Sequence, residues 1–504
     1  MDRECASGRT DARAGGPAVL PDHSLQNAHR AAPVGFPAPG HLEPASPAAH
    51  GRRQSRTRAE EERRGTGLGS RACLGGAEGL WLGWNGQFVS GSEPGFVMLD
   101  DAHPPALAWI DFPKDWYTKY YQGLCNRTLW PLFHSFTGNV RFSREEWECY
   151  GEVNEAFAAA AVDLVGTDTP IWVHDYHLLL LASALRKRGH RGPVGHFLHI
   201  PFPGVDLFSL LPWADRLLDA MLDFDLLGFQ TPGYVDNFRQ CVGAMSPAKV
   251  SDDVVLHHGR RIRIRDFPIG IIPEDFQHPQ PSELTEEITA ILSPVSRSRK
   301  FLGVDRLDYT KGIPERLLAF GRMLELFPEW RSKTSFLQVS VPSREDVPEY
   351  VDQRARVENV VGRINGEFGE ANWVPIRYLY RSYSRDQLAL LYRSADVGCV
   401  TPLRDGMNLV AKEFVAAQDP LDPGVLLLSR FAGAAHELPD AVLTNPWDVD
   451  GMARDMDRAL RMGLEERRQR QERLLLAVSK TTALTWAREF IKTLEACRTR
   501  ESLG

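Results

Sequence analysis

The chain has 504 residues, 43% hydrophobic and 25% charged, with a formal net charge of −7 and seven cysteines. That length allows two or three domains with cores of their own, and the composition is that of an ordinary globular protein. The mildly acidic balance offers no general pull toward nucleic acid or an anionic membrane, and no apolar run reaches the roughly 18–20 residues that cross a bilayer. The start shows no basic segment followed by an apolar one, so no secretory signal is expected. Cys5, Cys73, Cys125, Cys149, Cys241, Cys399 and Cys497 are scattered without a C-x-x-C pair. They read as reduced thiols of a cytoplasmic protein and argue against a disulfide framework or a zinc site.

Residues 1–76 are rich in Ala, Gly, Pro and Arg, and the first 75 contain no Lys. The stretch "GFPAPGHLEPASPAAHGRRQSRTRAEEERRG" has no strand or helix period and reads as disordered or aberrant. From "GLWLGWNG" onward buried strands alternate with amphipathic helices. "PIWVHDYHLLLLASALRKRG" is strand, turn and helix, and "PVGHFLHIPFP" is the next strand. After "RIRIRDFPIGIIPEDF" a second group follows, with "KFLGVDRLDYTKGIPERLLAFGRMLELFP", "SFLQVSVPSR", "WVPIRYLY" and "ADVGCVTP". Such alternation builds parallel sheets flanked by helices. The expected fold is α/β: two Rossmann-like doubly wound domains, 77–271 and 272–474, facing a cleft. A C-terminal helix within 475–504 is expected to pack back on the first domain.

Charge gathers where these strands end. "GVDRLDYTKGIPERL" puts Arg306 and Lys311 at a strand exit, with Pro314 in the first turn of the next helix. Two cations beside a helix N-terminus suit a diphosphate, because the helix adds its own positive end. A solvated loop with ion pairs to Asp305 or Asp308 is an equally good reading of those residues alone. "TPLRDGMNLVAKEFVAAQ" places Arg404, Asp405 and Gly406 in a strand-to-helix turn, with Lys412 and Glu413 on the helix. Asp405 and Glu413 are eight residues apart, the acidic spacing of many nucleotide-sugar transferases, and amides from Gly406 through Met407 and Asn408 to Leu409 would face phosphates. Alternatively Asp405 only caps the helix and Glu413 is merely exposed. In "HDYH" (His174, Asp175, Tyr176, His177) two histidines three apart without a third ligand make a weak metal site. His199, Tyr121 and Trp130 read by themselves as core residues.

"HDYHLL", "FLHIPFP", "DLLGFQT", "VDRLDYTKGIPER", "GRINGEFG", "RDGMNLVAKE" and "SRFAGAAHEL" follow one another in this order. Together they resemble the trehalose-6-phosphate synthases, retaining glucosyltransferases of GT-B fold, from about Gly79 to the C-terminal end. The resemblance implies donor diphosphate ligands at Arg306 and Lys311 and further donor contacts at Asp405, Gly406, Met407, Asn408, Leu409 and Val410. It puts Glu413 on the ribose, Tyr383 near the base and His199 on the donor sugar. Asp175 would hold the acceptor sugar, and Tyr121, Trp130 and Arg344 its ring and phosphate. Catalysis would fall to Asp175, His199, Arg306, Lys311 and Asp405. The implied reaction joins glucose from UDP-glucose to glucose 6-phosphate, giving trehalose 6-phosphate and UDP. The resemblance further implies attack on the leaving-group face, in a scheme that needs neither metal nor other cofactor.

The family's first strand, its Ser-Asn-Arg-like turn and its Gly-Gly-Leu loop find no match before Gly79. "RAGGPAVL" at 13–20 and Arg30 are faint candidates. The first strand of the first domain is therefore expected to be missing, with residues 1 to about 75 the product of a mis-set start or reading frame. Two alternatives follow: a non-catalytic relative that binds nucleotide sugar, and a synthase using glycerol 3-phosphate as acceptor. The donor base and homo-oligomerisation are not legible in the sequence.

Overall fold

The computed structural model describes residues 32–35, 79–100 apart from 85, 87 and 92, 106–279, 284–292, 298–345 and 347–498. One mixed sheet holds β1 (Ala32–Gly35), β2 (Leu80–Gly83), β3 (Phe88–Val89), β4 (Gly95–Asp100), β5 (Ala106–Pro113), β6 (Ile171–His174), β7 (Val194–Phe197), β8 (Leu226–Phe229), β9 (Lys249–Val250), β10 (Val254–His257) and β11 (Arg260–Asp266). A second sheet holds β12 (Arg299–Arg306), β13 (Thr334–Val341), β14 (Ile376–Tyr380), β15 (Val397–Val400), β16 (Val425–Ser429) and β17 (Val442–Thr444).

The second sheet is parallel throughout, in the order β14-β13-β12-β15-β16-β17. That is the doubly wound order 3-2-1-4-5-6, which reverses direction between its first and fourth strands. The centre of the first sheet, β5-β2-β1-β6-β7-β8, has the same order and is parallel too. Each domain thus has its own switch point, β1/β6 in one and β12/β15 in the other. Parallel strands are covered by helices on both faces. Accordingly β6, β7, β8 and β15 are buried at every position.

The covering helices follow from local sequence. Arg144–Val165 starts at Ser143, whose hydroxyl accepts from the Glu146 amide, and carries Glu145 and Glu146 in its first turn, where the helix dipole favours acids. It buries Trp147, Tyr150, Val153, Phe157 and Ala161, spaced three or four apart, and ends at Gly166 with φ 75°. Each large apolar side chain so buried contributes about 1.5–3 kcal/mol.

The expectation that residues 1–76 supply no strand is corrected for Ala32–Gly35. β1 pairs in parallel with β6 at all four of its residues and with β2 at Val34, so the central slot of the first sheet is filled. The rest of that expected segment, including 13–20 and Arg30, lies outside the described residues. Four residues cannot show a period of their own, and Pro33 lacks the N–H that a central strand normally donates; sequence patterning therefore passes over "APVG".

Two chain segments run side by side between the domains. Ile271 bridges Thr482, the Ala483 amide donates to the Ile271 carbonyl at 3.0 Å, and a Cβ at Gly270 would sit 1.8 Å from the Thr481 carbonyl oxygen. Helix Ala483–Arg498 then packs Trp486, Phe490 and Leu494 against Trp172, Phe197, Leu226 and Phe267 of the first domain. Residues 475–480 complete the preceding helix, Leu464–Lys480, whose Leu474 and Val478 belong to the second-domain core.

Candidate active site

β12 ends at Arg306, followed by a turn in which Asp308 accepts from the Thr310 amide and hydroxyl, each at 2.9 Å. Gly312, with φ 62°, lies where a Cβ would come within 2.5 Å of the Thr401 carbonyl oxygen. The turn after β12 is thereby clamped to the loop after β15, and the Leu403 amide adds a bond to the Thr310 carbonyl at 2.8 Å. This clamp brings Lys311 to Asp405, ammonium to carboxylate at 2.5 Å, with side chains 12% and 13% exposed. Asn408, at φ 83°, donates to the same carboxylate at 3.0 Å and precedes helix Leu409–Ala417. Burial pulls the Asp405 carboxyl upward, but Lys311 and the two hydrogen bonds outweigh it and hold the group below the usual range. Asp305 and Asp308 pair instead with Arg316 and Arg344.

The first domain supplies the opposing edge. Asp175, directly after β6, has φ 67°, and its carboxylate accepts from the His199 amide at 3.3 Å. Burial pushes this carboxyl up to about 7, against the pull of Arg344 and Arg306. His199, after β7, faces His174 at 3.2 Å between ring nitrogens, and burial pushes it down to about 3, so it is neutral near pH 7. His174 thus turns to His199. The domains touch at Gly406, where a Cβ would lie 2.1 Å from the His199 carbonyl oxygen. Tyr234 completes this contact by donating to the Asp405 carbonyl at 3.1 Å.

Beside this pair, two guanidinium groups lie over the Trp130 ring, Arg344 at 4.2 Å and Arg306 at 5.8 Å from its centroid. Its indole N–H is buried, with no hydrogen-bond acceptor among the described residues. Arg344, at φ 50°, also donates to Tyr176 at 3.2 Å and to Tyr350 and Asp308. Tyr121 stands one layer back, stacked on His177 at 5.8 Å.

The remaining expected residues divide. Half-buried Glu413 accepts from Tyr392 at 3.0 Å, and burial raises its carboxyl to about 7. Leu409 and Val410 open their helix, whose first amides lack intrahelical partners. Met407 is 3% exposed and belongs to the second-domain core, so only its backbone is available to a ligand. Tyr383 sits apart at the far edge, donating to Glu287 at 2.8 Å. Lys412 is buried on Glu437 and the Ile269 carbonyl, at 2.6 and 2.7 Å, and ties its helix to the interdomain link. Sequence reasoning missed Tyr176, Tyr234 and Tyr350. Tyr176 and Tyr234 meet partners 168 and 171 residues away, and Tyr350 joins Asp308, 42 residues away, to Arg344, 6 residues away.

Two doubly wound domains, each presenting its switch point to one cleft with cations and a helix N-terminus on one side, make the GT-B arrangement of nucleotide-sugar transferases. The model for glycosyltransferase family 20 matches residues 43–496, and the chain belongs to that family. The trehalose-6-phosphate synthase of Cronobacter sakazakii is 42% identical over 434 residues, 86% of this chain and 91% of that protein. An α,α-trehalose-phosphate synthase (UDP-forming) from Burkholderia xenovorans, solved with glucose-6-phosphate, is 38% identical with a TM-score of 0.83, covering 92% of this chain and 99% of that one. A trehalose-6-phosphate structure from Escherichia coli bound with UDP-2-fluoro glucose is 37% identical with the same TM-score and coverage.

Proposed function

We propose that the protein is a retaining α,α-trehalose-phosphate synthase: it transfers glucose from UDP-glucose to glucose 6-phosphate, releasing trehalose 6-phosphate and UDP. The observation that carries this reading is the Lys311–Asp405 pair at the β12/β15 switch point, seated against the His199 edge of the other domain. Arg306, Lys311 and the amides from Gly406 to Val410 take the diphosphate, Glu413 the ribose and Tyr383 the side of the base. Asp405, once Lys311 turns to phosphate, is left to hold sugar hydroxyls. Neutral His199 presents a hydrogen bond to the donor sugar without adding charge.

Asp175 takes the acceptor's hydroxyls, and Arg344, over Trp130 with Tyr121 behind, meets its phosphate. The acceptor hydroxyl attacks the anomeric carbon from the face the diphosphate leaves, and its proton passes to the departing phosphate oxygen. The residues then act by positioning and by charge placed where it develops. The seat of activity is the cytoplasm, in keeping with described cysteines that are all free thiols. Incubation with UDP-glucose and glucose 6-phosphate, with UDP release followed, tests the reading. UDP binding without turnover would favour the non-catalytic relative, and release only with glycerol 3-phosphate the other acceptor.

A further inference from the structure

Away from the cleft, the hairpin β10–β11 turns through His258 and Gly259, with φ 48° and 78°. Two residues of positive φ between paired strands make the turn that favours Asn-Gly or Asp-Gly. A histidine in the first position is held in the left-handed region, where a side chain carries a cost. Its consequence is geometric. In a strand, successive side chains point to opposite faces, yet here the His257 and His258 rings lie with centroids 4.0 Å apart. Asp219, from helix Ala214–Met221, reaches the same spot, with its Oδ1 at 2.9 Å from His257 Nε2. One ligand atom from each of the three residues falls within 4.8 Å of the others.

The frame around this cluster is rigid. Arg260, two residues past His258, bonds the Leu222, Asp223 and Phe224 carbonyls and the Asp223 and Asp225 carboxylates. The hairpin is therefore pinned to the end of the helix that carries Asp219. His257 is buried, while Asp219 and His258 are exposed, so the cluster is open on one side.

We propose that Asp219, His257 and His258 form a binding site for a divalent transition-metal ion of the zinc, cobalt or nickel class. Two imidazoles and a carboxylate suit such ions, and three protein ligands leave a fourth position for water. Tetrahedral donors at zinc lie about 3.3 Å apart, so a small rotation of the exposed His258 and Asp219 side chains closes the site. The His257 Nε2 and Asp219 Oδ1 atoms now joined by a hydrogen bond become ligands, and the neutral imidazole then carries its proton on Nδ1.

Zinc titration of chelator-treated protein by calorimetry, without nucleotide, tests this. The result expected is one site of micromolar affinity and a melting temperature that rises with added zinc. His258→Asn keeps a residue the turn favours and should weaken that site at least tenfold while leaving the zinc-free melting temperature in place. Asp219→Asn should weaken it as well. Equal zinc affinity in the parent and His258→Asn, or no saturable site in the parent, overturns the proposal.

Discussion

At the level of single residues, Lys311 and Asp405 show why a charge cannot be assigned a task from its neighbours in sequence. They stand 94 positions apart and meet at 2.5 Å, mostly shielded from water. The sequence places Lys311 at a strand exit, a natural phosphate ligand, but cannot say that without ligand its partner is the aspartate expected to hold the sugar. Charge-assisted bonds to the diphosphate are worth about 1.5–3 kcal/mol, so Lys311→Ala should weaken UDP binding about tenfold to a hundredfold by calorimetry. The same change strands Asp405, and the melting temperature should fall. Adding Asp405→Asn should restore part of the stability and none of the affinity. Unchanged UDP affinity in Lys311→Ala would remove it from the diphosphate site. Asp175 makes the opposite electrostatic case. Its carboxyl is raised in the fold to about 7 by burial, against an ordinary value near 4. A raised acid is neutral in both states at low pH and penalised in the folded state once ionised, so the stability it allows below about pH 4 is lost as pH rises through about 7. Asp175→Asn abolishes that loss. The melting temperature of the variant relative to the parent should rise between about pH 4 and pH 7 and level off above that, while transfer to glucose 6-phosphate collapses and UDP affinity holds. A pH-independent difference, or a parallel loss of UDP binding, would contradict the assignment.

Among secondary-structure elements, legibility follows length and apolar content. Strands such as "GCV" before the Asp405 loop or "IWVH" before Asp175 announce themselves, because both faces of a parallel sheet are covered and every position must be apolar. The turns that follow are legible as well, since ligands gather outside the carboxyl ends of such strands. β1 is the exception. Its place is set by the gap between β2 and β6, a fact of tertiary structure that "APVG" does not carry. This yields a test that separates a sheet strand from an unattached tail. Val34 is the one residue of β1 paired on both sides, to Leu82 and to Val173. Val34→Pro would remove a second ladder donor from a strand that already contains Pro33. The melting temperature should drop by several degrees. An unaltered melting curve would show that the strand adds nothing to the sheet.

Across the whole molecule, the chain crosses between domains twice, and the second crossing ends in a helix that serves the domain it did not come from. Phe490 is fully buried, stacked on Trp172 at 4.4 Å, and fills space kept open by Gly195 and Gly228, where a Cβ would lie 3.0 and 2.8 Å from its ring. Trp486, one turn earlier, rests on His174 and His199 at 6.2 and 6.0 Å between ring centroids. The C-terminal helix is therefore the backing of the edge that faces Gly406, though it shares no sequence neighbourhood with it. Removing a buried Phe side chain costs about 3–5 kcal/mol, and here the loss should fall on one side of the cleft. Phe490→Ala should lower the melting temperature and reduce transfer about tenfold or more, since a small misplacement of a positioning group is expensive in rate. UDP affinity should change far less, because the residues proposed to hold it belong to the second domain. Leu476→Ala, on a side chain 72% exposed on the preceding helix, is the matched control and should alter neither quantity. If Phe490→Ala reduced UDP affinity in step with transfer, the helix would be supporting the second domain, and its link to the His199 edge would be wrong.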